Sequence, residues 1–201
     1  MKNNNPLILA SASKSRASIL EQAGVEFRCI PSLCDEKEIK LTLKRTNTPI
    51  EIIAMKLAEA KADIVSDKYP GFYVVAADQI LECNGVAYDK PENLEQARQH
   101  LLDLRGKPHF LYSMTVIYKA SECVWQNAEK LEMQMRNYSD AFIDEYLGAL
   151  GPSVCESVGA YKLEGMGSQL FENVKGDYFS ILGLPLLPLL RYLRQIGFLK
   201  G

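Results

Sequence analysis

Residues 73–90, YVVAADQILECNGVAYDK, constrain the fold more than any other part of the chain. Tyr73, Val74, Val75, Ala76 and Ala77 are apolar without a break. Strict alternation is missing, so the run predicts a strand covered on both faces, deep in a sheet. Asp78 ends the apolar run. A carboxylate at the end of a buried strand is costly unless hydrogen bonds, a metal or a cation compensate it. Asn84-Gly85 is a tight-hairpin signal, and the return strand Val86-Ala87-Tyr88 is expected to bring Asp89-Lys90-Pro91 back towards Asp78. Two readings stand side by side: a structural ion pair at a strand terminus, or an acid and a base held together for chemistry.

Upstream, residues 6–10 (PLILA) predict a short buried strand. Ser11-Ala12-Ser13-Lys14-Ser15-Arg16 then leads into a helix that stops at Gly24, a C-cap residue. Strand, hydroxyl-rich turn and helix present N–H groups and hydroxyls to an anion, and Lys14 and Arg16 add charge. Plain N-capping by Ser11 or Ser13 explains the same residues. Residues 25–30 alternate as a half-exposed strand, and Cys34-Asp35-Glu36 reads as a polar loop. Thr48-Pro49-Ile50-Glu51 predicts a helix start with Thr48 as N-cap and Glu51 closing a capping box. That helix extends to about Ser66, with Ile53, Leu57, Ala60 and Ile64 as its buried stripe. Lys61 follows Leu57 by one turn and sits on or beside the same stripe. It either snorkels to solvent or reaches into a cleft as a phosphate ligand.

Residues 93–104 predict a helix containing a partly exposed His100. Residues 108–119 and 123–136 predict two long strands around Ala120-Ser121, and Leu131, Met133 and Met135 form the inward row of the second. Ser139 caps a further helix. Gly159, Gly165, Gly167 and Gly176 then signal tight turns and close backbone approach around Glu164. Pro185 can start the last helix. With no repeat or linker, a single domain over residues 1–201 is expected. Alternating strands and helices with a long hairpin imply an α/β fold with a mixed sheet.

Several function classes drop out. A net charge of −2 argues against a broad nucleic-acid or membrane-binding surface. Five cysteines without a CxxC pair, and only two histidines, argue against a zinc site, a disulfide framework and a serine-hydrolase triad. The N-terminal apolar core is too short for a signal peptide, and no stretch approaches a membrane span. A reducing cytoplasm is the expected location. GxGxxG, Walker and GxSxG motifs are missing.

Taken together, these pieces resemble the Maf family of nucleoside triphosphate pyrophosphatases. Leu9-Ala10-Ser11-Ala12-Ser13 with Arg16 looks like its opening LASxSxRR signature. Asp35-Glu36 matches its acidic loop and Ala60-Lys61-Ala62 its helix lysine. Ala77-Asp78 and Lys90-Pro91 match its central motifs, and Gly159-Ala160-Tyr161 and Gly183-Leu184-Pro185-Leu186 its C-terminal ones. Single motifs of this kind are weak, but seven in order are specific. The resemblance implies a mixed central sheet with flanking helices, two lobes around a nucleotide cleft, and a homodimer. It also implies a divalent cation, Mg²⁺ or Mn²⁺, and cleavage between the α and β phosphates. By the same resemblance Asp78 is the general base, and Glu36 with Asp78 holds the metal. Lys61, Lys90 and Arg16 neutralise phosphate charge, and Ser11, Ser13 and Ser15 join them on the substrate.

Within the family, the dTTP/UTP branch has threonine after the catalytic aspartate and an IQG motif. This chain has Gln79 and Leu163-Glu164-Gly165, similar to the 7-methyl-GTP branch. A carboxylate at Glu164 accepts two hydrogen bonds from the N1–H and 2-amino edge of guanine, whereas a pyrimidine offers one N–H between two carbonyls. Lys14-Ser15-Arg16 departs from the family's proline, arginine or tryptophan, arginine, so base stacking has no counterpart at Ser15. The alternatives are the same reaction on dTTP, UTP or CTP, and a nucleotide-binding regulator of septum formation.

Overall fold

A computed structural model describes residues 7–200. Pro6, the first residue of the predicted opening strand, and the first five residues of the N-terminal segment read for a signal lie outside the described residues. The order of elements is β1 (Leu7–Leu9), α1 (Lys14–Gln22), β2 (Phe27–Cys29), α2 (Glu36–Arg45), α3 (Ile50–Lys68) and β3 (Tyr73–Cys83). Then come β4 (Val86–Tyr88), α4 (Leu94–Leu104), β5 (Pro108–Lys119), β6 (Glu122–Met135) and α5 (Asp140–Leu150). Short 3₁₀ turns lead to β7 (Phe171–Lys175), α6 (Tyr178–Ile181) and α7 (Leu186–Gln195).

The fold is mixed α/β, a seven-stranded sheet flanked by helices with order β2-β1-β3-β5-β6-β7, and β4 pairs with β3 off this path. β1 is parallel to both β2 and β3, while β3–β4 and β6–β7 are antiparallel. Two compact units divide the chain. One runs to Asp78 and adds Ser113–Glu129 and the chain from Tyr178; the other takes Gln79–Tyr112 and Lys130–Asp177. In the first, Leu7, Leu9, Leu20, Val75, Ala77, Leu184, Leu189 and Leu193 build one apolar core. In the second, Leu81, Leu101, Leu104, Met133, Ile143 and Tyr146 are fully buried.

Most predicted elements form where the sequence places them. The β5–β6 turn falls on Ala120 and Ser121, which adopt φ +51° and +60°. Gly167 makes the predicted close approach: a Cβ there would run into the Lys162 carbonyl oxygen.

Four expectations need correction. Asp78 does not end its strand; β3 continues to Cys83, and its ladder with β4 closes at Leu81↔Tyr88, short of Asp78. Buried Ile80, Leu81 and Cys83 carry the strand past Asp78. Cys34-Asp35-Glu36 is not a loop throughout: Asp35 N-caps α2 by accepting from Glu38 N, and Glu36 is the first helical residue. The helix escapes periodicity because Ile39, Leu41 and Leu43 alternate as in a strand and none is buried. Thr48 does not cap α3: Pro49 occupies the cap, no side chain bonds there, and the Thr48 hydroxyl pairs with that of Thr46. His100 is buried, its ring edge-on to Tyr88 at 5.1 Å.

Candidate active site

β3 carries Asp78 into the interior because the five residues before it are apolar and the first three pair with β1 through Leu7↔Tyr73, Ile8↔Val74 and Leu9↔Val75. Asp78 is only 6% exposed. One oxygen, Oδ1, accepts a hydrogen bond from Lys61 Nζ at 2.6 Å; Oδ2 is buried without a hydrogen-bond partner among the described residues. Lys61 arrives from α3, buried in the row that holds Leu57, Ala58, Ala62 and Val65, while Ala60 and Ile64 of the expected stripe are only half-buried. Its ammonium also lies 2.9 Å from Glu36 Oε1, at the start of α2. Thus a lysine on the inner face of one helix joins a strand carboxylate to a carboxylate at the N-terminus of another helix. Burial raises the Asp78 pKa above its ordinary value, against the charge and hydrogen bond of Lys61 and the charge of Arg16.

The Ser11–Arg16 turn adds a second cation-bearing element. Ser13 N-caps α1, its Oγ accepting from Arg16 N at 3.4 Å. Ser11 Oγ accepts from Ser13 N and from Arg16 Nη1, each at 3.2 Å. Each hydroxyl keeps its O–H as a donor for an anion, so capping and anion binding are compatible uses of the same serines. Arg16 Nε donates to the Gly183 carbonyl at 2.8 Å. Burial lowers the guanidinium pKa, opposed by the nearby charges of Asp78 and Glu36. Ser15 is half-buried on α1.

Ser11, Ser13, Arg16, Glu36, Lys61 and Asp78 all belong to the first unit; Lys61 contacts both carboxylates, and Arg16 lies near enough to feel the charges of Asp78 and Glu36. Gln79 follows Asp78 on β3 and is half-buried; Lys90 is exposed beyond β4, and Glu164 is exposed before the turn Gly165–Leu170. These three lie in the second unit. Two residues named in the sequence without a role at the site stand beside it. Gly183, matched there only as part of a C-terminal motif, holds Arg16 through a backbone oxygen, a role that no side chain announces. Cys34 feels Glu36, Lys61 and Asp78, although burial is the main cause that raises its pKa.

Among the described residues no three His, Cys, Asp or Glu side chains are grouped as a complete metal cage. Mg²⁺ is commonly held by one or two carboxylates and completed by substrate phosphates and water. Glu36 and the unpartnered Asp78 oxygen fit that kind of donor set. Chemically, the arrangement offers a buried carboxylate for a water molecule and two cations for an anion.

A family model described as Maf-like protein matches residues 6–196. The chain is 45% identical over 189 residues to a protein from Granulibacter bethesdensis named Nucleoside triphosphate pyrophosphatase, covering 94% of this chain and 96% of that one. A protein of the same name from Paramagnetospirillum magneticum is 46% identical over 190 residues, covering 94% and 98%. A protein from Mesorhizobium japonicum named 7-methyl-GTP pyrophosphatase is 41% identical over 195 residues, covering 97% and 98%.

Proposed function

This chain belongs to the Maf family, and we infer that it is a nucleoside triphosphate pyrophosphatase, a hydrolase that releases a nucleoside monophosphate and pyrophosphate. The observation that carries this reading is Asp78, a buried carboxylate with one oxygen on Lys61 and the other unpartnered. Water attacks the α phosphorus, a new P–O bond forms, and the bond to the departing pyrophosphate breaks. Asp78 orients that water and takes its proton. A carboxyl pKa raised by burial suits a base working near neutrality. Lys61 and Arg16 balance the charge that develops on phosphate oxygens, and the Ser11 and Ser13 hydroxyls donate to them. Lys90 is proposed as a further cation and Ser15 as a further contact on the same substrate.

Glu36 and Asp78 would hold Mg²⁺ or Mn²⁺. Such an ion supplies charge neutralisation at the phosphates. The preferred nucleotide is proposed to be 7-methyl-GTP. Glu164 is exposed and its carboxylate matches the two donors on the guanine edge; Gln79 is proposed as a second substrate contact. The name of the Mesorhizobium relative points the same way. A cytoplasmic homodimer is the proposed working form. Among the described residues no helix is long and apolar enough to cross a membrane.

The test is pyrophosphate release from 7-methyl-GTP, GTP, dTTP, UTP and CTP with Mg²⁺ or Mn²⁺. Preference for 7-methyl-GTP that is lost in Glu164→Gln supports the substrate reading. Preference for a pyrimidine keeps the reaction and removes Glu164 from base reading. Nucleotide binding without turnover under any metal would favour the regulator of septum formation.

A further inference from the structure

We propose that Gly183 is a positioning residue for the phosphate-binding guanidinium of Arg16, an inference that rests on the reading of Arg16 given above. The two residues are 167 positions apart in the chain, yet Arg16 Nε donates to the Gly183 carbonyl at 2.8 Å. On another edge of the guanidinium, Nη1 donates to Ser11 Oγ at 3.2 Å. A planar fork held on two edges is fixed in orientation as well as in position. Among the described residues these are the guanidinium's hydrogen bonds, so two of its five N–H donors are used and the rest suit phosphate oxygens.

Glycine is needed at position 183 for two reasons. Its φ is +106°, a conformation that strains any L side chain. A Cβ would also lie 3.2 Å from Arg16 Nε, 3.6 Å from Nη2 and 3.7 Å from Cγ. The space that a methyl group would take is the space beside the guanidinium. The turn itself is anchored: Gly183 N donates to Ser180 O, Leu184 N donates to Phe179 O, and Leu184 and Leu186 sit in the core with Leu7 and Leu9. The carbonyl is thereby a fixed support, built from a part of the chain far from the Ser11–Arg16 turn. The role is distinct from charge supply, because a lysine at position 16 would keep the cation and lose the fork.

A double-mutant cycle tests the proposal. Gly183→Ala, Arg16→Ala, the double variant and Arg16→Lys are compared for binding of inorganic tripolyphosphate by calorimetry, for KM and kcat, and for Tm. Gly183→Ala is expected to weaken tripolyphosphate binding and raise KM by about tenfold, the order of one charge-assisted hydrogen bond, with kcat changed by less than about threefold. In the Arg16→Ala background the same change is expected to alter binding by less than about twofold. Arg16→Lys is expected to bind nearly as weakly as Arg16→Ala. Equal losses from Gly183→Ala in both backgrounds would mean that Gly183 acts without Arg16, and the proposal falls alone. Wild-type binding by Arg16→Ala would remove the phosphate-ligand reading and this inference with it. Should Gly183→Ala not accumulate as folded protein, Arg16→Lys decides: wild-type binding there overturns the positioning role, and the expected loss supports it.

Discussion

Lys61 Nζ lies 2.6 Å from Asp78 Oδ1 and both residues are buried, so the acid at the centre of β3 is paired from α3. Burial works to keep Asp78 protonated, and the ammonium works to ionise it. The activity of the site is therefore sensitive to each partner in a different way.

Removing the ionisable oxygen from Asp78 is the most direct perturbation. Asp78→Asn keeps the shape and loses the base, and turnover is expected to fall by roughly 10²–10⁴-fold, the usual contribution of general base catalysis. Steady-state pyrophosphate release at saturating nucleotide measures it. Activity within a few-fold of wild type would dismiss Asp78 as the base.

Lys61→Met should move the pH profile as well as its height. The Lys61 charge and hydrogen bond both lower the Asp78 pKa. Without them the pKa rises further above the ordinary carboxylate value, and less of the base is ionised at a given pH. The acid limb of kcat/KM is expected to shift to higher pH, at constant metal concentration. An unmoved limb with a lower plateau would mean that Lys61 acts on the phosphates alone.

His109 makes a separate prediction about stability. The ring is fully buried, with Nε2 2.9 Å from the Tyr161 hydroxyl, and burial lowers its pKa from 6.5 to about 4. Between those two values the unfolded chain takes up a proton that the folded protein refuses, so stability falls as pH falls through this window. The gap is worth about 3 kcal/mol at full extent. Denaturant titrations from pH 7 to pH 4 should show this loss, and His109→Gln should flatten it. A variant with the wild-type slope would assign the acid sensitivity to other groups.

Gly167→Ala is expected to be among the most damaging single methyl additions. Its Cβ would overlap the Lys162 carbonyl, a backbone atom that cannot rotate aside. A cost of about 3 kcal/mol, or roughly 6–12 °C in Tm, is expected from overpacking of this kind. Gly148→Ala serves as the control, since a Cβ there meets nothing within 4 Å. Similar melting of the two variants would count against the close approach.

Much of this molecule was legible from residue order, for local reasons. The unbroken Tyr73–Ala77 run, the Asn84-Gly85 turn and the alternation through Leu131, Met133 and Met135 each fix an element through neighbours in the chain. Lys61 was readable as inward-facing because one helical turn separates it from Leu57. Local signals misled where they were ambiguous. Leu41 and its neighbours alternate on α2, and the Thr48-Pro49 start permits a cap one residue either way.

The sequence by itself determined most of the elements, the mixed α/β class and the identity of the charged side chains, because periodicity, caps and turn residues act over a few positions. Only the tertiary structure decided which charges meet. The Glu36–Lys61–Asp78 chain of contacts and the Arg16–Gly183 bond join segments separated by long stretches of sequence. They exist because apolar faces pack and carry those polar groups together, a long-range result that no local pattern encodes.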